Sequence, residues 1–413
     1  MTSRRGLLGR LTAVALAAIP GCSTPLSQQR ENAVSLPPNP YEVPDRQHAW
    51  DVVLPTDAHG NRRVPRHHRV LLLNLDVDPS TDAADTVETA MRELEATYEW
   101  SADGLLHMLA WGTRYFERIG ELAASPIRHP EVLSRTDDPD LLSYDAALVL
   151  ASDVRSHLHS TETAMFSESD PLEGREVEAR LGEVFSVAVR RTGFHGEGLP
   201  AEHAGVESVP DDVPRDAPMF TGFSSMRRGT QPSEDRVTID GDRFEDGRFE
   251  GGTTMHLSHL TESLDGWWNM DESERVDRMF SPQFSPADVE SFTDDVPFHD
   301  RAFDNAEEFG VVGHHEKVAR ARDDGEPVIL RRDFNTTDGN RAGVHFLSLQ
   351  ASLDDFVATR KAMNGWFLRN EHDLVTDRKN NGLLNVIEVE SRANFYVPPR
   401  HRRAFPGFSP STG

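Results

Sequence analysis

The chain has 413 residues, with 69 acidic against 43 basic side chains, a formal net charge of −26, and lysine confined to positions 317, 361 and 379. That balance argues against a nucleic-acid partner, because a polyanion is repelled and no basic, aromatic-interleaved stretch offsets the repulsion. Cys22 is the single cysteine, which rules out a disulfide within one chain and any cysteine-based zinc site.

The first residues read as targeting rather than fold. Ser3-Arg4-Arg5-Gly6-Leu7-Leu8 has the form of a twin-arginine (Tat) export signal, and the apolar run Leu11 to Ile19 is too brief to span a bilayer permanently. The run ends Ile19-Pro20-Gly21-Cys22, a lipoprotein cleavage box, so residues 1–22 are expected to be a signal peptide with Cys22 the lipidated first residue of the mature chain. The expected partners are the Tat translocase during export and the membrane, through the lipid anchor, which places the protein on the outer face of the cell membrane. Residues 23–65, with Pro37, Pro38, Pro40 and Pro44, read as a disordered, solvated tether. An acidic, lysine-poor surface stays hydrated at molar salt, where the Debye length is about 3 Å, so a halophilic, archaeal, extracytoplasmic protein is expected.

Residues 66–210 read as strand, helix, strand, and then again strand, helix, strand. The segments are Val70 to Leu75, Ala84 to Tyr98, Leu105 to Trp111, Ala146 to Ala151, Val154 to Met165 and Val184 to Arg190. That order predicts a split βαβ unit, an antiparallel sheet with two helices on one face. A second such unit occupies residues 211–402, from Thr253 to Val397, with acidic and aromatic insertions between Asp271 and Phe309. The predicted fold class is α+β, with two ferredoxin-like units meeting at Pro200 to Pro218 and a tail at 403–413. His256 and His259, an odd number of residues apart on one strand, point to opposite faces and do not clasp one metal.

The most informative segment is Gly313 to Asn335, GHHEKVARARDDGEPVILRRDFN. A helix starts at the histidines and is stopped by Asp323-Asp324-Gly325-Glu326 and Pro327. Val328-Ile329-Leu330-Arg331-Arg332 then reads as a strand ending in two cations. A neutral imidazole in a partly buried site can hold ferric iron as the single protein ligand and leave the other face open. His315 is the expected ligand, with His314 the alternative register.

These residues resemble the haem-ligand region of the dye-decolorising peroxidases. The resemblance continues through Gly251-Gly252 to Leu260 with Trp267 and Trp268, Gly343 to Gln350 with the helix Ser352 to Met363, and Asn394 to Pro399. It also covers His68 to Asp78 and Gly104 to Gly112, so that it runs in order over roughly residues 66 to 400. It implies paired ferredoxin-like units of the dimeric α+β barrel type, haem b held by His315 in the second, Arg331 on the distal side, and Glu326 accepting the ligand's other ring proton. Hydrogen peroxide and an unidentified electron donor are the implied substrates, and self-association is left open.

One departure bears on activity. Where the family's distal loop carries an aspartate that moves a proton between peroxide oxygens, this chain reads Gly222-Phe223-Ser224-Ser225-Met226, with Ser225 in the acid's place. Peroxide cleavage then depends on Arg331, on water, or on another acid such as Asp333 or Glu234. Met226 is readable either as a sixth iron ligand or as ordinary packing. The two functional expectations are therefore an exported haem peroxidase and a haem-binding or electron-carrying lipoprotein with weak or no turnover.

Overall fold

The computed structural model describes residues 43–408 except 212, 245, 246, 294, 295, 298 and 369–371. Cys22, the export signal and the first part of the expected tether lie outside the described residues.

Among the described residues ten strands form one sheet: β1 (His67–Leu75), β2 (Leu106–Gly112), β3 (Asp140–Leu141), β4 (Ala146–Ser152), β5 (Phe185–Phe194), β6 (Thr253–Glu262), β7 (Leu330–Arg331), β8 (Phe334–Thr336), β9 (Gly343–Gln350) and β10 (Ile387–Val397). Their order is β2-β4-β1-β5-β8-β9-β6-β10-β3, with β7 also on β9. An additional antiparallel pairing of β10 with β2, Phe395 opposite Gly112 and Tyr396 opposite Trp111, closes the sheet into a barrel. Apart from the parallel contact of β3 with β10, the pairings are antiparallel.

Alternation along the strands sorts side chains into layers. Val70 and Leu72 of β1 point into the barrel, where they share one core with Met108, Val149, Met255 and Leu347 from both halves of the chain. Leu71, Leu73 and Leu75 point outward, beneath the helices Thr81–Thr97 and Arg155–Phe166. Both faces are therefore buried, which is why β2 and β4 are mostly apolar and buried along their whole length instead of alternating. In the second half the outward residues of β6, β9 and β10 are covered by the helix Leu353–Asn364, but this layer encloses a cavity.

The tether expectation needs correction for residues 43–65. Trp50, Leu54 and Val64 are buried in the barrel core, and Gln47 Nε2 donates to the carbonyls of Leu109 at 3.1 Å and Pro398 at 2.8 Å. Few apolar residues suffice when a segment can pair its polar groups with strand ends. The tail is packed as well: Phe405 lies against Trp111 and Tyr115, and the buried Arg403 meets Glu88 and Glu95. The expected insertions at 271–309 are short helices, Glu272–Met279, Pro286–Ser291 and Ala302–Phe309.

Candidate functional site

The cavity has a volume of about 220 Å³, roughly fifteen times the space one water needs. Its sheet side comes from alternate residues of β6, Ser258, Leu260 and Glu262, with Val344 and Phe346 of β9 beside them. Phe356, Thr359, Arg360 and Met363, at the three- and four-residue spacing of one helical face, form another wall.

The helix His314–Val318 brings both histidines to the cavity, and Val318, Ala321 and Arg322 continue that wall. Its start is tightly held. The Gly313 amide donates to Glu316 Oε1 at 2.6 Å, and Ser281 Oγ and Asn305 Nδ2 donate to Glu316 Oε2. Lys317, wholly buried, donates from Nζ to the Met363 and Asn381 carbonyls and to Asn381 Oδ1. Burial, then the positive charge of Arg331, lowers the His315 pKa to about 3, so the ring is neutral at ordinary pH; its ring bonds the Val296 carbonyl. His314 is likewise held well below the usual histidine range by burial first and Lys317 next.

Glu326, expected to take the ligand's ring proton, is not at the site. It is exposed in a turn bridged to Asp323, because Asp324 and Gly325 adopt left-handed backbone and fold the acidic stretch out toward water. The group that accepts from the His315 ring is the Val296 carbonyl.

Arg331, Ser225 and Asp333 do come together on the cavity. Arg331 Nη2 donates to the Ser225 carbonyl at 2.9 Å and to the carbonyl and hydroxyl of Thr230, and its own amide donates to Gln231 Oε1. Ser225 Oγ donates to the Asp333 carboxylate at 3.0 and 3.2 Å. The loop that carries Ser225 is pinned by indole donors: Trp267 Nε1 to the Thr221 carbonyl and Trp268 Nε1 to that of Phe220. Gly222 has φ +85°, and a Cβ there would come within 3.1 Å of the Trp268 ring.

Of the two readings of Met226, its position agrees with packing. It is buried in the barrel core, while Met219, Met279 and Met363 are the methionines that line the cavity. Glu234 is also elsewhere, accepting from the Trp50 and Asp51 amides and from Arg332. His256 is fully engaged with Asn394 and Ser258, and among the described residues no group of His, Cys, Asp or Glu has metal-binding geometry.

Glu262 was not anticipated. It is buried on the cavity wall with Oε2 unpaired, and burial, then the nearby charge of Asp333, pushes its pKa up to about 8. The signal for it was parity: an acid two and four residues beyond Leu260 and Ser258 shares their face. Other unpaired buried polar atoms border the same cavity: His314 Nδ1, Arg227 Nη1, Arg360 Nη1, and Nε and Nη2 of Arg392. Five arginines, 227, 322, 331, 360 and 392, face two acids, Glu262 and Asp333. A largely apolar molecule with anionic groups and an atom that a neutral imidazole can ligate fits this donor set, and haem meets each requirement.

Residues 65–399 match the model of a protein family described as "Family of unknown function (DUF7405)". No curated protein matches the chain. Among solved structures it is similar to a DypB variant of Rhodococcus jostii RHA1 in complex with haem, with TM-score 0.56 and 14% identity over 87% of this chain and 99% of that one. A second DypB structure from the same organism gives TM-score 0.54 and 13% identity over 84% and 97%. The dye-decolorizing protein of V. cholerae gives TM-score 0.51 and 15% identity over 86% and 98%. The fold, a mixed helix and sheet structure around an antiparallel barrel-like sheet, is that of the DyP-type peroxidases.

Proposed function

The chain belongs to the family of unknown function DUF7405, and we propose that it is a haem-binding peroxidase of the dye-decolorising type, oxidising a donor with hydrogen peroxide. The observation that carries this reading is the meeting of a neutral histidine, an arginine and a serine–carboxylate pair on one largely apolar cavity.

When bound, the haem supplies the electron transfer that side chains of this kind cannot. His315 would hold the iron, and the Val296 carbonyl, accepting the other ring proton, keeps the tautomer that ligation needs. A carbonyl draws less on that proton than a carboxylate would, so the imidazole is less anionic than Glu326 would have made it. Arg331 offers a guanidinium already oriented by the Ser225 and Thr230 carbonyls, which stabilises negative charge as the peroxide bond breaks. Asp333 takes the proton from one peroxide oxygen and returns it to the other, and Ser225 positions it. The proton-carrying acid is thus supplied from the strand side instead of the loop, and this favours turnover over the reading as an electron-carrying protein without peroxidase activity.

The test is a hemin titration of the full chain. His315→Ala is expected to lose or shift the Soret band while His314→Ala keeps it; an unchanged spectrum in His315→Ala sinks the assignment. The strand orders β5-β1-β4-β2 and β8-β9-β6-β10 support reading the barrel as two split βαβ units. Export by the Tat route and lipid anchoring at Cys22 are supported by the patterns at residues 3–8 and 19–22. Cys22→Ser is expected to release the protein from the membrane fraction, and retention there counts against the anchor.

A further inference from the structure

Arg360 and Arg392 stand apart from the groups used above. Arg360 is 6% exposed and Arg392 1% exposed, and both line the cavity. They share one carboxylate: Asp137 Oδ2 is 2.5 Å from Arg360 Nη2 and 3.7 Å from Arg392 Nη2. Among the described residues, Arg360 Nη1 and Arg392 Nε and Nη2 have no hydrogen-bond acceptor. Two buried cations against one buried carboxylate, with only the solvent-exposed Glu131 as a further acid acting on Arg392, leave positive charge incompletely compensated, an arrangement that is costly unless a further anion completes it.

The backbone goes out of its way to place this pair. Val389 is opposite Leu260, but a bulge at Glu390 shifts the register so that Ser391 is opposite His259 and Arg392 opposite Ser258. Without the bulge, alternation from Ile387 and Val389 would send residue 392 into the barrel; with it, the guanidinium joins the cavity face. Arg360 arrives there one helical turn after Phe356, and Arg392 lies over the Phe356 ring at 5.8 Å. The pair is also distant from Arg331. Arg331 pairs with Ser348, Ser348 with His256, and His256 with Asn394, two residues from Arg392. Three strand spacings separate the two ends of the cavity by roughly 14 Å.

We propose that Arg360 and Arg392 form the carboxylate-binding end of the cavity and receive the acid groups of the ligand; in the haem reading, on which this rests, those are the propionates. The site selects a planar apolar molecule bearing carboxylates at one edge over the same molecule without them. Its orientation follows: the acid edge lies at β10 and the helix Leu353–Asn364, and the ring extends toward Arg331 and Asp333.

The experiment compares hemin with hemin dimethyl ester, titrated into the full chain by Soret absorbance, in wild type, Arg360→Met and Arg227→Gln. Charged hydrogen bonds of this kind predict that wild type prefers hemin by about tenfold to a hundredfold. Arg360→Met is expected to reduce that preference to about threefold or less while ester affinity holds, since the remaining Arg392 then balances Asp137 alone. Arg227→Gln is expected to keep the preference. Equal affinity of wild type for acid and ester overturns the arginine assignment and leaves haem binding intact, and so does a preference lost in Arg227→Gln but kept in Arg360→Met. Absence of a Soret band with either compound overturns the haem reading itself. Apo melting temperatures of the variants, compared with wild type, separate loss of the site from loss of fold.

Discussion

Asp333 is the residue on which turnover depends in the proposed reaction, because it is the carboxylate that Ser225 holds beside Arg331. Asp333→Asn keeps the shape and the hydrogen bond from Ser225 but removes the proton acceptor. It is expected to lower kcat for peroxide-dependent dye oxidation by about 10²- to 10⁴-fold while hemin affinity stays near wild type; a variant with unchanged kcat would show that another group carries the proton. That Ser225, Arg331, Asp333 and His315 would gather at one cavity was legible because each sits in a short segment whose residue types declare a chemistry. Glu326 was misplaced for a physical reason: chain distance from a histidine does not reveal which way a tight turn points, and the left-handed residues Asp324 and Gly325 aim this one outward. Glu262 and Arg392 were missed because each lies within a regular strand, where parity, and for Arg392 a bulge, decides which layer receives the side chain.

The short helix His314–Val318 is too brief to be stable alone, so its position depends on its attachments. Glu316 ties its first turn to Gly313, Ser281 and Asn305, and Lys317 ties it to the end of the helix Leu353–Asn364 and to Asn381. Gly313 is the tightest point: a Cβ there would come 1.9 Å from the Phe280 carbonyl oxygen. Gly313→Ala therefore forces the helix start to move, and a loss of about 1–3 kcal/mol in stability is expected together with weaker hemin binding. A melting temperature and a Soret titration equal to wild type would show that the approach is not needed. The long elements were readable in advance, since Thr81–Thr97 has a clear amphipathic pattern and β1, β2 and β4 each carry a mostly apolar run of strand length. The strand expected at Val328–Arg332 proved to be two residues, Leu330–Arg331, because the chain leaves β9 and rejoins it as β8.

At the scale of the molecule, burial of histidine governs the response to acid. His48, His68 and His315 are held at about 3 and His107 at about 4, burial being the largest cause for each. A lowered histidine pKa means that the unfolded chain binds more protons below pH 6.5, so stability is full above that pH and falls as pH drops toward the folded value; each ring costs about 2 kcal/mol at pH 5. Glu262 at about 8 and Glu316 at about 7 act in the opposite sense, adding stability as pH falls until both states are protonated near pH 4.5. With His67 at about 4 and His259 at about 3 as well, the histidine losses exceed the gain from the two acids, so a marked decline from pH 7 to 5 that deepens below about 4.5 is expected, read by circular dichroism; a flat profile to pH 3 would refute it. The mixed helix and sheet architecture was legible from element order, whereas the packing of residues 43–65 and 403–408 was not, because those segments are held by contacts with strands far away in the chain. That distance has a consequence for biosynthesis. The seam between β2 and β10 joins residues 111 and 396, and Gln47 bridges Leu109 to Pro398. A nascent chain emerging from the ribosome cannot complete this ring until residue 396 has been made, so closure comes late and is slow, and any product cut short before β10 exposes two open strand edges to its neighbours.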